Sequence, residues 1–289
     1  MGGWIGRHPK LIAPVAAILA AAGIFVAVVQ GNGGSRPRSQ GTTTPGVSSP
    51  PQAAPSSGTP TASTSPSAPR PRTSGVADDR PNLVLIVTDD QWTSSVEGMP
   101  AVQRLLGDHG VVFPNAFAST PLCCPARAGI LTGRYAHHTG VYSNMAPHGG
   151  VTAFDDRSTL ATWLQAAGYQ TSLVGKYLNG YGNLPTPGVP PGWDDWHVTA
   201  TEPGRFFDYD LIENGRRVHY GSASKDYLTD VLRDRATSFI DRVDGPFFLM
   251  FTPFAPHAPA TPAPADAGSY ASEPAYRPPS FNEPLAVDK

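Results

Sequence analysis

An α/β fold is predicted, with a mostly parallel central sheet flanked by helices. Three observations carry that expectation. Residues 82–88 and 246–252 are short, mostly apolar runs, as in strands covered on both faces, and residues 170–175 form another strand-like run. Segments with helical spacing alternate with these runs, and strands alternating with helices pair in parallel. Chemically suggestive residues then stand where such runs end or shortly after: Asp89-Asp90, Gly175-Lys176 and Pro256-His257. Open parallel sheets gather their ligand sites at the carboxyl ends of the strands.

The elements follow in chain order. Arg7, His8 and Lys10 precede an uncharged apolar stretch at 11–29. Its length is near the ~20 residues of a spanning helix and exceeds the roughly 7–15 residues of a signal-peptide core. Basic residues on the N-terminal flank keep that end cytoplasmic. Residues 1–30 are therefore expected to be an N-terminal signal anchor or a signal peptide. The anchor is preferred, because no small-x-small cleavage site follows. Residues 31–79 are almost entirely Gly, Ser, Thr, Pro and Ala with some charged and Gln residues, and Val47 and Val76 are the only large aliphatics. Such a segment cannot bury enough apolar surface to offset its ordering entropy, so a disordered linker is expected there. Its Ser/Thr/Pro bias suits a stalk open to O-glycosylation. Together these features describe an exported protein that is membrane-anchored facing the extracytoplasmic side, or secreted. The net charge of −2 gives no indication of nucleic acid as a partner.

Residues 80–289 are left to fold, enough for one sizeable core. A strand is expected at 82–88, a short helix at 101–109 and a second strand at 111–117. Ser158 or Thr159 can cap a helix running through Ala167 to a stop at Gly168. Residues 170–175 read as a strand. Residues 206–220 read as a hairpin turning at Asn214-Gly215, a strong two-residue turn signal. A helix is predicted over 225–243 from the helical period of Tyr227, Leu228, Val231, Leu232, Ala236, Phe239 and Ile240. A buried strand at 246–252 completes the set.

Cys123 and Cys124 are the only cysteines of the chain. A vicinal disulfide is strained, and two thiols are too few for a structural zinc site. A buried thiol pair is the plain alternative. The surrounding residues argue for more: Cys123-Cys124-Pro125-Ala126-Arg127 contains C-x-P-x-R, and Leu131-Thr132-Gly133-Arg134 follows. Cys123 is the cysteine in register with Pro125 and Arg127. Proline in the first turn of a helix loses no hydrogen bond, which would put Cys123 at a helix N-terminus where free N–H groups and the dipole favour an anion. Arg127, one turn later, would face the same side and could hold developing negative charge in fixed geometry.

This stretch resembles the signature of type I, formylglycine-dependent sulfatases, and the rest of the chain is similar in kind. Residues 82–91 look like the family's opening strand with its carboxylate pair. Gly175-Lys176-Tyr177-Leu178-Asn179-Gly180-Tyr181-Gly182 resembles the lysine motif of the N-acetylglucosamine-6-sulfatase-like subgroup. Pro191-Gly192-Trp193-Asp194 and Phe254-Ala255-Pro256-His257-Ala258-Pro259 fit it as well. The resemblance covers essentially all of residues 80–289 and implies a sulfatase (alkaline-phosphatase-like) fold.

It also implies roles. Asp89 and Asp90, with the derivative of Cys123, would ligate Ca²⁺, a hard cation suited to carboxylate oxygen. Cys123, oxidised to formylglycine by a formylglycine-generating enzyme and hydrated, would attack the sulfur of a sulfate ester. Its second hydroxyl would then expel sulfate. Arg127 would steady the alkoxide. Lys176 and His257 would contact the sulfate or leaving-group oxygen, His257 as an acid/base near neutral pH.

The pattern departs from the family at Ala126, where a serine is usual, and at Leu178, where many sulfatases carry a histidine. Family members also continue past this point to further metal ligands, a second lysine and a smaller C-terminal domain. The chain is thus read as an incomplete sulfatase N-terminal domain, with weak or absent activity expected of residues 1–289 alone. Two other readings stand beside a sulfatase acting on sulfated amino sugars outside the cytoplasm. One is a truncated, catalytically impaired sulfatase-like protein; the other is a phosphodiester or phosphonate hydrolase of the same superfamily. Taken singly, Asp89-Asp90 would be a solvated turn, Lys176 a surface lysine and His257 a rigid loop residue. His137-His138 are read as structural, and Trp193 and Trp196 as packing or substrate-rim residues.

Overall fold

The computed structural model describes residues 78–201, 204–274 and 277, together with the backbone of 16–18 and 24–29. Nine strands form one sheet in the order β4-β1-β2-β3-β9-β5-β6-β7-β8. They are β1 (Ala16–Ile18), β2 (Ile24–Val29), β3 (Asn82–Val87), β4 (Gly110–Val112), β5 (Gln170–Gly175), β6 (Asp195–Thr199), β7 (Tyr209–Glu213), β8 (Arg216–Tyr220) and β9 (Phe247–Thr252). The middle of the sheet, β3-β9-β5-β6, is parallel throughout. Antiparallel pairs flank it on both sides. The α/β class and the parallel centre are as the sequence leads one to expect.

Strand alternation divides the core in two. Val84, Val174, Phe247 and Leu249 face one side, where α5 (Leu228–Arg242) lies. Leu85, Val87, Leu173, Phe248 and Met250 face the other, against α2 (Cys123–Thr132) and α4 (Leu160–Ala166). The helical period over 225–243 is the buried stripe of α5: Leu228, Val231, Leu232, Ala236, Phe239 and Ile240. Each fully buried large apolar side chain of this kind contributes about 1.5–3 kcal/mol of transfer free energy. Thr159 caps α4 in a reciprocal pair with Thr162, and Gly168 takes up the left-handed conformation beyond it at φ +88°. Asn214 and Gly215 turn the β7–β8 hairpin with positive φ at both positions, the geometry that suits the right-handed strand twist.

Several expectations need correction. The short helix expected over 101–109 is present but irregular, one α turn, α1 (Pro100–Val102), continuing as a π-helix over Gln103–Gly107. The strand expected at 111–117 ends at Val112, just short of Pro114, which has no N–H to give a ladder. The helix expected from 225 starts at Leu228, after a 3₁₀ turn at Ser224–Asp226. Strand β6 has no counterpart in the sequence reading, because Asp195-Trp196-His197-Val198 carries polar residues on a buried strand.

The spanning helix expected over 11–29 is also not observed. The described parts of that stretch are β1 and β2, and β2 pairs antiparallel with β3 along its whole length. An uninterrupted apolar run satisfies an interior strand as well as a membrane helix, and β-branched Ile24, Val26, Val28 and Val29 favour the strand. Among the described residues no helix is long and apolar enough to cross a membrane. The expected linker at 31–79 lies, apart from Asp78 and Asp79, outside the described residues.

Candidate active site

The parallel centre delivers three of its carboxyl ends to one place. β3 ends just before Asp89-Asp90, β5 before Lys176, and β9 before the loop carrying Phe254 and His257. α2, packed against one face of the sheet, begins at Cys123 and carries Arg127 one turn later.

Asp89 is the hub. It is 3% exposed, and both of its oxygens are engaged. Lys176 Nζ donates to Oδ2 at 2.5 Å and Arg127 Nη2 to Oδ1 at 3.3 Å. Cys123 Sγ lies 3.8 Å from the same Oδ1. Arg127 is itself buried, and its Nη1 donates to the Lys176 carbonyl at 2.7 Å. One carboxylate against two buried cations leaves an excess of one formal positive charge. Desolvated cations without full compensation are costly unless an anion joins them, so the cluster favours an anionic ligand.

The placement of Lys176 depends on Gly175. This glycine has φ +127°, and a Cβ there would come within 2.0 Å of the Thr252 carbonyl oxygen. Only glycine lets β5 approach β9 so closely. Immediately after it, the Lys176 N–H donates to the Thr252 carbonyl at 2.7 Å, and Thr252 Oγ1 donates to the Lys176 carbonyl at 2.8 Å. Lys176 Nζ also stands 5.6 Å from the centroid of the Phe254 ring.

Asp90 and His257 form the outer part. Asp90 is exposed, with φ +56°, a conformation seldom taken by residues other than glycine, asparagine and aspartate. Its Oδ2 lies 3.4 Å from His257 Nε2. His257 Nδ1 is 2.7 Å from the Ala258 carbonyl, an acceptor only, so Nδ1 donates there and Nε2 is the nitrogen that faces Asp90. The His257 ring packs on Phe254 at 4.6 Å between centroids.

Asp89, Asp90, Cys123, Arg127, Lys176 and His257 thus all meet through direct contacts or a shared neighbour. A cavity of about 770 Å³ opens in front of Asp89, Asp90, Cys123 and Arg127, with Trp92 and Phe117 among its walls. A second, of about 510 Å³, is lined by Lys176, His257, Asn144, Asn179 and Arg205. The exposed His137 and His138 lie apart in a short helix, α3 (Ala136–Thr139). Trp193 and Trp196 are buried in the core and pack on one another, as the packing alternative anticipates.

The two cysteines differ sharply. Cys123 is partly exposed toward the larger cavity. Cys124 is fully buried, and burial pushes its thiol pKa up, against the hydrogen bond from the Asn179 N–H and the nearby Arg127 charge. It is held as an inert thiol. Sequence reasoning assigned no role to Asn144, whose Oδ1 accepts the Cys124 N–H at 2.9 Å, or to Asn179, which contacts the Cys124 sulfur. Asn144 reaches the helix from a loop twenty residues away in the chain, which carries no local signal.

A divalent cation can be weighed against this donor set. One ligand atom each from Asp89, Asp90 and Cys123 lie within 4.8 Å of one another. Two carboxylates suit a hard cation, and a thiol does not. The sulfur of Cys123 stands where the oxygens of an oxidised, hydrated derivative would be, and oxygen there makes the set uniform. Gln91, next in the chain, lines the same cavity, and its buried amide oxygen Oε1 has no hydrogen-bond partner. The residues fit a calcium-like ion.

A sheet with a parallel centre, a cysteine at the head of a helix and beside a strand-end carboxylate, and two buried cations holding that carboxylate define a hydrolase-like anion site. Comparison with known proteins agrees: the sulfatase family model matches residues 81–279, and the chain belongs to the sulfatase family. Human N-acetylglucosamine-6-sulfatase is 37% identical over 218 residues, 70% of this chain and 39% of that protein. The Drosophila melanogaster extracellular sulfatase SULF-1 homolog is 35% identical over 175 residues, 58% of this chain and 15% of that protein. A solved structure in complex with its substrate D-glucosamine-2-N,6-O-disulfate superposes with a TM-score of 0.59 at 30% identity, covering 69% of this chain and 39% of that one. The chain therefore spans well under half the length of these relatives.

Proposed function

We propose that the protein hydrolyses sulfate esters, with 6-O-sulfated amino sugars as the substrate class, on the extracytoplasmic side. The observation that carries the reading is the cluster at Asp89: Cys123 Sγ at 3.8 Å, Lys176 Nζ at 2.5 Å and Arg127 Nη2 at 3.3 Å. The names of the human and fly relatives and the glucosamine disulfate of the solved neighbour support the substrate class and the compartment. A formylglycine-generating enzyme is the partner this reading needs, acting on Cys123.

The two absent groups would supply, between them, a hydrated-aldehyde nucleophile at Cys123 and a Ca²⁺ ion that draws charge from the sulfate oxygens. The chain's own residues do the rest. Asp89 and Asp90 hold the cation. Arg127, locked by the Lys176 carbonyl and by Asp89, cannot swing away and keeps positive charge beside residue 123. Lys176 projects between Asp89 and the smaller cavity and adds positive charge where sulfate would sit. Preorganised charge in a buried site is the main source of stabilisation for developing anions. His257 holds or releases a proton at Nε2 and is the candidate acid for the leaving sugar oxygen.

Mass spectrometry of the Leu122–Arg127 peptide tests the nucleophile. The reading expects a mass lowered by conversion of Cys123 from thiol to aldehyde, and modification of Cys124 instead would sink it. Sulfate release from glucosamine-6-sulfate, run beside a phosphodiester, tests the reaction. Preference for the phosphodiester would move the protein to the alternative hydrolase class.

A further inference from the structure

We infer that Cys124 is a positioning residue: its buried sulfur ties the Lys176–Asn179 turn to the first turn of α2, and so sets Lys176 relative to Cys123. The activity part of this inference rests on the sulfatase reading above, while the structural part does not.

The Asn179 N–H donates to Cys124 Sγ at 3.1 Å, and the thiol faces Asn179 Oδ1 at 3.5 Å. The other backbone group of Asn179 is also held, since the Val151 N–H donates to its carbonyl at 2.9 Å. Cys124 is fixed from its own side as well. Its N–H is one of the donors a helix start leaves unpaired, and Asn144 Oδ1 accepts it at 2.9 Å. One turn further along α2, Arg127 Nη1 grips the same turn at the Lys176 carbonyl. The helix bearing the nucleophile therefore holds the lysine turn at both ends: residue 127 on 176, and residue 124 on 179.

A plain packing role for the thiol would need only its volume, because Cys124 sits at 0% exposure in the core against α2's side of the sheet. The two roles separate on the acceptor. Alanine removes the sulfur and leaves the Asn179 N–H without its partner. Serine keeps an acceptor but on a shorter arm, and a helical serine hydroxyl also bonds to its own helix carbonyls.

Amide exchange, read by mass spectrometry on the full chain, is the direct test. In Cys124→Ala, exchange at the Asn179 amide should rise about tenfold while β9 peptides stay as protected as before, since a lost local tie opens locally. Cys124→Ser should lie between the two. Exchange at Asn179 within about twofold of the parent, or an equal rise across α2, β5 and β9, would overturn the tie. Should Cys124→Ala fail to fold, Cys124→Ser decides by the same criterion: a rise confined to the lysine turn supports the tie, and an unchanged rate overturns it.

Turnover of glucosamine-6-sulfate tests the consequence. The expectation is a kcat lower by about tenfold with KM within about twofold, as for a displaced charge that acts in the transition state. A parent protein that releases no sulfate would count against the sulfatase reading and leave the exchange result to decide the tie. Raised exchange with unchanged kcat would overturn the claim that the tie sets Lys176.

Discussion

Asp89 carries two cations and, on the proposed reading, would also carry a metal, so its charge serves both stability and chemistry. Asp89→Asn would leave Arg127 and Lys176 buried without a counter-charge. Breaking one member of a buried ion pair costs about 3–5 kcal/mol, so the urea midpoint should fall markedly and sulfate release should vanish. Lys176→Met, which removes one cation and keeps the length of the side chain, should lose turnover while retaining most of the stability. Gly175 is the second residue on which the site depends. Gly175→Ala would force a Cβ into the Thr252 carbonyl and place alanine at φ +127°. The expected outcome is a loss of more than about 2 kcal/mol in denaturant unfolding, with β5 and β9 peptides gaining amide exchange together.

At the scale of elements, β6, β7 and α5 are joined by a charged network, buried at Asp195 and His197 and open to solvent at Arg242, that the site does not use. His197 lies between Asp195, at 3.3 Å from Nε2, and Glu213, at 3.7 Å from Nδ1. Arg242 of α5 bonds Asp195 at 2.7 Å, and Arg235 bonds Glu213 at 2.9 Å. Burial alone would lower the His197 pKa, but the hydrogen bond with Asp195 and the charges of both carboxylates outweigh it and raise the value. Burial likewise opposes ionisation of Glu213, and the nearby His197 with the hydrogen bonds from Arg235 and Tyr220 overcomes it and brings its pKa down to about 2. A raised histidine contributes stability that is complete below its unfolded pKa and fades as pH rises through the folded one. A lowered glutamate contributes stability present above its unfolded pKa of 4.5 that is lost as pH falls toward about 2. The network should therefore be strongest between roughly pH 4.5 and 6.5. Thermal unfolding followed against pH should show His197→Gln flattening the alkaline side of the profile. At α4, Thr159→Ala removes the side chain that accepts the Thr162 N–H and should cost about 1 kcal/mol in chemical unfolding.

At the scale of the whole molecule, the parallel centre gathers residues from 89 to 257 at one edge, and a bound ion would couple them. Calcium that binds the folded site and not the unfolded chain stabilises it by about 2.7 kcal/mol at a concentration one hundred times its Kd. The melting temperature should rise with added Ca²⁺ and fall back with a chelator, and Asp90→Ala should abolish the shift. A melting temperature indifferent to Ca²⁺ in protein carrying oxidised Cys123 would remove the metal from the proposal.

Much of this was legible in the linear chain. The α/β class, strands β3, β5 and β9, the β7–β8 turn and the stripe of α5 all follow from hydrophobic period and turn chemistry, which are local properties. So does the choice of Asp89, Asp90, Cys123, Arg127, Lys176 and His257 as candidates, because strand ends and a C-x-P-x-R helix start can be recognised in a few residues. Tertiary structure decided what local pattern cannot carry. An apolar run at 24–29 reads alike as a membrane helix or a strand, and pairing with β3 made it a strand. Asp195 and His197 look like loop residues until Arg242 and Glu213 arrive from other elements to satisfy them inside the sheet. The difference between Cys123 and Cys124 is likewise invisible in the sequence beyond the register of one motif. It is set by Asn144 and Asn179, whose contacts with Cys124 exist only after the chain has closed, since a side chain's charge and hydrogen-bond partners depend on what folding brings beside it.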